Sequence, residues 1–222
     1  MLPLVFAASM GAGTGDRANA AGAGMPTGES VTPINQLAAP RDLRRGLVVG
    51  FDFGASLGGA SGYPNNSSDI GNPDEYSASG FAAGTYASIF VMGALSDYIS
   101  VGFWYGHRAL HNADWRSGGD GGGLRVEGFP LVGLVPKLSG LGVLAQFGIG
   151  SGQLSATGAS GAESNGTQSF GGAGVFYEWS FGHVLGGHLA AGPSLEYDAI
   201  WTRPFEQHGL VATLRFVFYG GP

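Results

Sequence analysis

Residues 46–57 read Gly-Leu-Val-Val-Gly-Phe-Asp-Phe-Gly-Ala-Ser-Leu, and their order decides the fold. Leu47, Val49, Phe51, Phe53, Ala55 and Leu57 occupy every second position, with Val48, Gly50, Asp52, Gly54 and Ser56 between them. A period of two belongs to a β-strand, whose successive side chains point to opposite faces. One face here is apolar and bulky, and the other is small and polar. A soluble sheet would bury the apolar face and wet the polar one, but the rest of the chain favours the reverse.

The same alternation recurs along the chain. Ile99, Val101, Phe103 and Tyr105 oppose Ser100, Gly102, Trp104 and Gly106, and Val143, Ala145, Phe147 and Ile149 oppose Leu144, Gln146, Gly148 and Gly150. Leu189, Ala191, Leu195 and Tyr197 oppose His188, Ala190, Gly192, Ser194, Glu196 and Asp198. Leu210, Ala212, Leu214, Phe216 and Phe218 oppose Val211, Thr213, Arg215 and Val217. Segments 79–93, 122–135 and 168–180 carry Gly and Ala on both faces, yet their β-branched and aromatic content favours strand, with Pro130 marking a bulge or break. Each run is about ten residues, the length that crosses a bilayer as a tilted strand. The spacing therefore predicts an all-β fold, a closed antiparallel up-and-down β-barrel of about eight strands over residues 46–219, with 220–222 as a tail.

Connection lengths alternate as well. Residues 59–78, 109–121 and 155–167 read as long polar loops, while those near Ser96-Asp97, Lys137–Gly140 and Gly182–Gly187 read as short turns. Short periplasmic turns alternating with long outer loops put both termini on the periplasmic side. Tyr98, Tyr177, Trp179, Phe181 and Tyr219 fall near the periplasmic ends, and Tyr76, Tyr105, Tyr197 and Trp201 near the outer ends, as interfacial aromatics do.

Composition agrees. Of 222 residues, 44% are hydrophobic and only 12% charged, too few charges for a large water-facing surface. The net charge of −6 and a single lysine, Lys137, exclude a nucleic-acid partner. No cysteine is present, which removes disulfides and thiol chemistry. Met1–Met10 is an apolar run, and Ala18-Asn19-Ala20 has the small-x-small form of a cleavage site, so residues 1–20 read as a signal peptide; 21–45, with Pro26, Pro33, Pro40 and Arg41, Arg44 and Arg45, read as a flexible leader.

An eight-stranded barrel has an interior just wide enough for side chains to fill it. Asp52, Gln146, Glu178, Glu196, Asp198 and Arg215 fall on the inward face, where Arg215 can pair with carboxylates costly to bury alone. They predict a lumenal polar network and a closed lumen.

No motif carries catalysis. The glycine clusters 11–15, 118–123 and 171–174 lack the Lys-Ser/Thr and strand-to-helix context of a phosphate loop. His107, His111 and Asp114 have the spacing of a helical metal site but straddle a strand end and loop, and His183, His188 and His208 are isolated. Ser100, His107 and Glu127 are a conceivable but arbitrary triad at the barrel rim. We therefore expect no catalytic, cofactor or metal residues.

The runs 145–150 (AQFGIG), 176–179 (FYEW), 192–198 (GPSLEYD) and 215–219 (RFVFY) resemble the small eight-stranded outer-membrane proteins of the OmpA and OmpW type, and uncharacterised barrel-like envelope proteins of Gram-negative bacteria. Such barrels commonly finish on an aromatic residue, whereas here Gly220-Gly221-Pro222 follow Tyr219. The resemblance implies an outer-membrane location, lipid as the surrounding partner and a structural or binding role through the long loops, with a possible surface ligand there. It transfers no functional residue. A rim-sited lipid-modifying enzyme and a soluble secreted β-barrel binder are the alternatives.

Overall fold

The computed structural model describes residues 44–63, 69–158, 168–202 and 204–221. The expected signal peptide, 1–20, and residues 21–43 of the expected leader, 21–45, lie outside the described residues. Among the described residues, ten strands form one antiparallel sheet: β1 (Gly46–Gly62), β2 (Ser77–Ala78), β3 (Ala82–Ser96), β4 (Ile99–His111), β5 (Trp115–Gly128), β6 (Leu141–Ala156), β7 (Gln168–Tyr177), β8 (Trp179–Val184), β9 (Gly187–Thr202) and β10 (Phe205–Gly220).

Eight of them close into a ring in the order β10-β1-β3-β4-β5-β6-β7-β9, with β9 pairing back onto β10. The seam runs from Leu47↔Gly220 to Gly62↔Phe205. β2 adds two residues to the edge of β1. β8 pairs with β9 in the register that β7 already holds, since Phe176↔Ser194 and Trp179↔Ala191 lie on one line. The interruption falls opposite Pro193, which has no N–H to give.

The two faces separate as the alternation requires. On β1, Leu47, Phe51, Phe53 and Leu57 are about half exposed, whereas Val48, Asp52 and Ser56 are fully buried. Leu214, Phe103, Ile149, Ile89 and Leu195 continue the apolar exterior around the ring. Ten residue steps from Leu47 to Leu57 at about 3.3 Å each, on a strand tilted about 40°, give an apolar band about 25 Å tall. Tyr105, Tyr197 and Trp201 sit at its upper edge, all outward and about half exposed. Tyr219 corrects the expected lower girdle. It shares parity with Arg215 and so turns inward, 1% exposed.

Four connections differ from the sequence reading. Residues 109–121 form no long loop: β4 and β5 stay paired out to His111↔Arg116 and meet in a turn at 112–114. There Asn112 Oδ1 accepts from the amides of Asp114 (3.0 Å) and Trp115 (2.8 Å). A polar outward face does not end a strand once the wall has risen into water. Conversely, the expected fourth strand 122–135 stops at Gly128, because Phe129 N–H makes the last rung, to Tyr98 O at 2.9 Å, and Pro130 has none to offer. Residues 129–140 are therefore a long connection with a 3-10 turn at Pro136–Leu138, where only a short turn near Lys137 was expected. β1 and β6 also run further than expected, to Gly62 and Ala156, so the loops after them begin later; 64–68 and 159–167 lie outside the described residues.

Placing an arginine in mid-band tests the outward assignment. Leu214→Arg is expected to cost about 2–4 kcal/mol of unfolding free energy in lipid, whereas Gln153→Arg, above the band, should cost under about 1 kcal/mol, read by urea unfolding in vesicles. Equal costs would contradict the band.

Candidate functional site: the lumenal polar septum

The six predicted residues are all buried, between 0 and 5% exposed, and side-chain bonds link them across the lumen. Asp52 on β1 lies opposite Arg215 on β10 across the seam. Gln146 comes from β6, Glu196 and Asp198 from β9, and Glu178 from the break between β7 and β8.

Two guanidinium groups organise them. Arg215 Nε donates to Glu178 Oε1 at 2.6 Å and Nη2 to Glu127 Oε2 at 2.7 Å, with Nη1 3.8 Å from Asp52 Oδ1. Arg125 Nε donates to Glu127 Oε1 at 2.7 Å and Nη1 to Asp52 Oδ2 at 3.1 Å, with Nη2 4.0 Å from Glu196 Oε1. Both arginines thus share Glu127 and Asp52. Phe90 lies between them, its ring centroid 4.5 Å from one guanidinium carbon and 4.4 Å from the other. That ring lies over Gly50, where a Cβ would come within 2.2 Å of it.

Neutral groups spread the septum further. Gln146 Nε2 donates to Glu196 Oε2 (3.3 Å) and Asp198 Oδ1 (3.1 Å), Ser88 to Asp52 Oδ2 (3.1 Å), Ser194 to Glu196 Oε1 (2.9 Å) and Tyr219 to Glu178 Oε2 (2.6 Å). Gly172 on β7 makes room, for a Cβ there would lie 2.2 Å from Asp198 Oδ1. One level higher, Arg108 donates to the carbonyls of Asp198 (3.1 Å) and Gln207 (3.4 Å). Above that, Leu154, Ile200, Phe205 and Ala60 are packed in one buried cluster. Below, Phe129, Val132, Leu144 and Phe176 form another, and the Arg44 guanidinium stacks 3.6 Å over Phe129 while donating to Ser139 O at 3.2 Å.

Arg108, Arg125, Glu127 and Arg44 were not among the predicted six. The conceivable triad of Ser100, His107 and Glu127 does not assemble. Ser100 and Glu127 are cross-strand partners inside the wall, but His107, seven residues from Ser100, projects outward and is half exposed. Leu124-Arg125-Val126-Glu127 carried the decisive signal: two charges alternating with two apolar residues on one strand. His107 and His111 lie on a strand, where a four-residue separation spans about 13 Å along one face instead of closing one helical turn. His183 and His188 are cross-strand partners, and His208 Nδ1 lies 3.1 Å from Tyr197 OH, so none of the three is isolated.

The chain is a closed eight-stranded antiparallel β-barrel with an apolar exterior and a filled polar interior. No protein-family model matches its sequence, and no curated protein matches it in sequence. Among solved structures, the attachment invasion locus protein Ail of Yersinia pestis is similar at 11% identity and a TM-score of 0.48, covering 78% of this chain and 99% of that one. Neisserial surface protein A follows at 16% identity and 0.42, covering 76% and 95%. The N-terminal β-barrel domain of Pseudomonas aeruginosa OprF is similar at 14% and 0.37, covering 78% and 99%.

Arg215→Ala leaves Glu127 and Glu178 buried without their strongest partner, and should cost about 3–5 kcal/mol in urea unfolding. Arg215→Ala combined with Glu178→Ala should cost clearly less than the sum of the two single changes. Simple additivity would show that the septum is not one coupled unit.

Proposed function

We propose that the protein resides in a Gram-negative outer membrane as a closed-lumen barrel, with a structural or binding role exerted at its extracellular end. The observation that carries this reading is the septum: Arg125 and Arg215, both fully buried, tie carboxylates from β1, β5, β9 and the β7–β8 break across the lumen. Buried apolar residues fill the space above it, among them Leu154, Ile200 and Phe205, and below it, among them Phe129 and Leu144. An ion passing through would have to separate charge pairs in a low-dielectric interior, which is expensive. Work done by such a barrel falls to the surfaces it holds out to water.

Support for sidedness comes from the two ends. At the end where β1 starts and β10 finishes, the 129–140 connection covers the mouth, and tight links join β3 to β4 and β8 to β9. At the other end, β4, β5 and β6 rise above the apolar band and carry His111, Arg116 and Gln153 outward. Tyr63 and Tyr76 make an edge-to-face contact with centroids 5.4 Å apart, ordering the described ends of the β1–β3 loop. A surface ligand would meet these residues first.

Two measurements test the reading. Cell fractionation should recover the protein with the outer membrane, and planar-bilayer recordings of the purified chain should show no regular conductance steps. Arg125→Ala with Arg215→Ala, if it still folds, should conduct measurably. Steady conductance by the unaltered protein would make it a pore and end the proposal.

A further inference from the structure

The exterior wall carries one polar constellation that the lumen does not explain. Tyr105 and His107 on β4 and Asp120 on β5 all point outward at the upper edge of the apolar band. Tyr105 OH donates to Asp120 Oδ1 at 2.9 Å, and His107 Nδ1 meets the same oxygen at 2.9 Å. With Nδ1–H as the donor, a neutral His107 presents Nε2 as an acceptor, and Asp120 Oδ2 is an acceptor already. In that tautomer the cluster turns two acceptors and one negative charge toward the membrane boundary. Gly118 and Gly122 flank Asp120 on the outward face of β5, so no neighbouring side chain on that strand overhangs it.

Directly below lies an apolar groove of about 520 Å³ whose exposed lining is almost wholly apolar. Ala87 makes its floor, Phe53 and His107 stand on either side in the same cross-strand row, and Phe51, Ile89 and Tyr105 lie one row further into the band. The groove is continuous with the belt, so its surroundings are lipid chains. A single ligand that fills both parts must have an acyl chain below and a hydrogen-bond-donating cation above.

From this geometry we infer that the β3–β4–β5 face is a binding site for a lipid that carries a primary ammonium, with one acyl chain along Ala87 and the ammonium on Asp120 and His107. The ammonium supplies the two things the cluster lacks, positive charge and N–H donors. A quaternary ammonium brings the charge without the donors, and a headgroup carrying only negative charge brings neither. The inference requires the belt to face lipid and does not depend on what the loops bind.

The test uses the full chain purified in detergent, with phosphatidylethanolamine, phosphatidylcholine or phosphatidylglycerol added at equal concentration and bound lipid counted by native mass spectrometry. Phosphatidylethanolamine should be retained about tenfold better than phosphatidylcholine, the scale of a charge-assisted hydrogen bond. Asp120→Asn should erase that preference, and Ala87→Trp, which fills the groove, should lower retention of phosphatidylethanolamine, while heat-modifiable gel migration reports that each variant is folded. The wild-type comparison stands even if a variant misfolds. Equal retention of phosphatidylethanolamine and phosphatidylcholine, preference for phosphatidylglycerol, or a preference that survives Asp120→Asn would each overturn the assignment.

Discussion

A backbone amide left unpaired in hydrocarbon has no water to turn to, and a sheet that enters a bilayer must therefore have no edge. In this chain the ladder between β1 and β10 meets that requirement. Once the ring is closed, alternation sends half of every strand outward into lipid and half inward, and the inward half must be filled because eight strands leave little free space. The apolar band, the girdle and the septum follow from closure together with the period of two. The glycines serve the same constraint, since Phe90 over Gly50 and Asp198 against Gly172 need the space a Cβ would take.

The septum is an expensive way to fill a tube. Five carboxylates and four arginines are buried among the described residues, and an apolar filling of similar volume would carry no desolvation penalty. What charge adds is orientation. Each guanidinium offers donors in a fixed plane, so Arg125 and Arg215 fix where β1, β5, β9 and the β7–β8 break sit relative to one another.

The barrel was legible in the sequence because strand alternation is local: Leu47 to Leu57 and Leu210 to Phe218 state their faces without reference to anything distant. The same logic placed Asp52, Glu196 and Arg215 indoors. It failed where a local signal was overruled by height in the wall. The polar stretch 109–121 looked like a loop because its outward residues are hydrophilic, but β4 and β5 continue above the lipid, where hydrophilic outward residues are the ones required. Arg125 was obscured by neighbouring glycines that satisfy either face. The partnership of Arg125 with Glu127, Asp52 and Glu196 could not have been read from spacing, because it depends on which strands the closed ring carries into reach across the lumen. The outer-wall cluster was equally hidden, since Tyr105 and Asp120 are fifteen residues apart and meet only through the β4–β5 register.

The seam joins the first wall strand to the last, and Asp52 faces Arg215 across it. Without β10, Glu127 and Glu178 lack Arg215, and Asp52 lacks one of the two cations around it. Docking of β10 therefore couples withdrawal of these groups from water to a pairing that helps compensate them, so a wall without it gains little by draining its interior. Electrostatics acts as a clasp on the seam, and a chain truncated before Arg215 would be left open and wet.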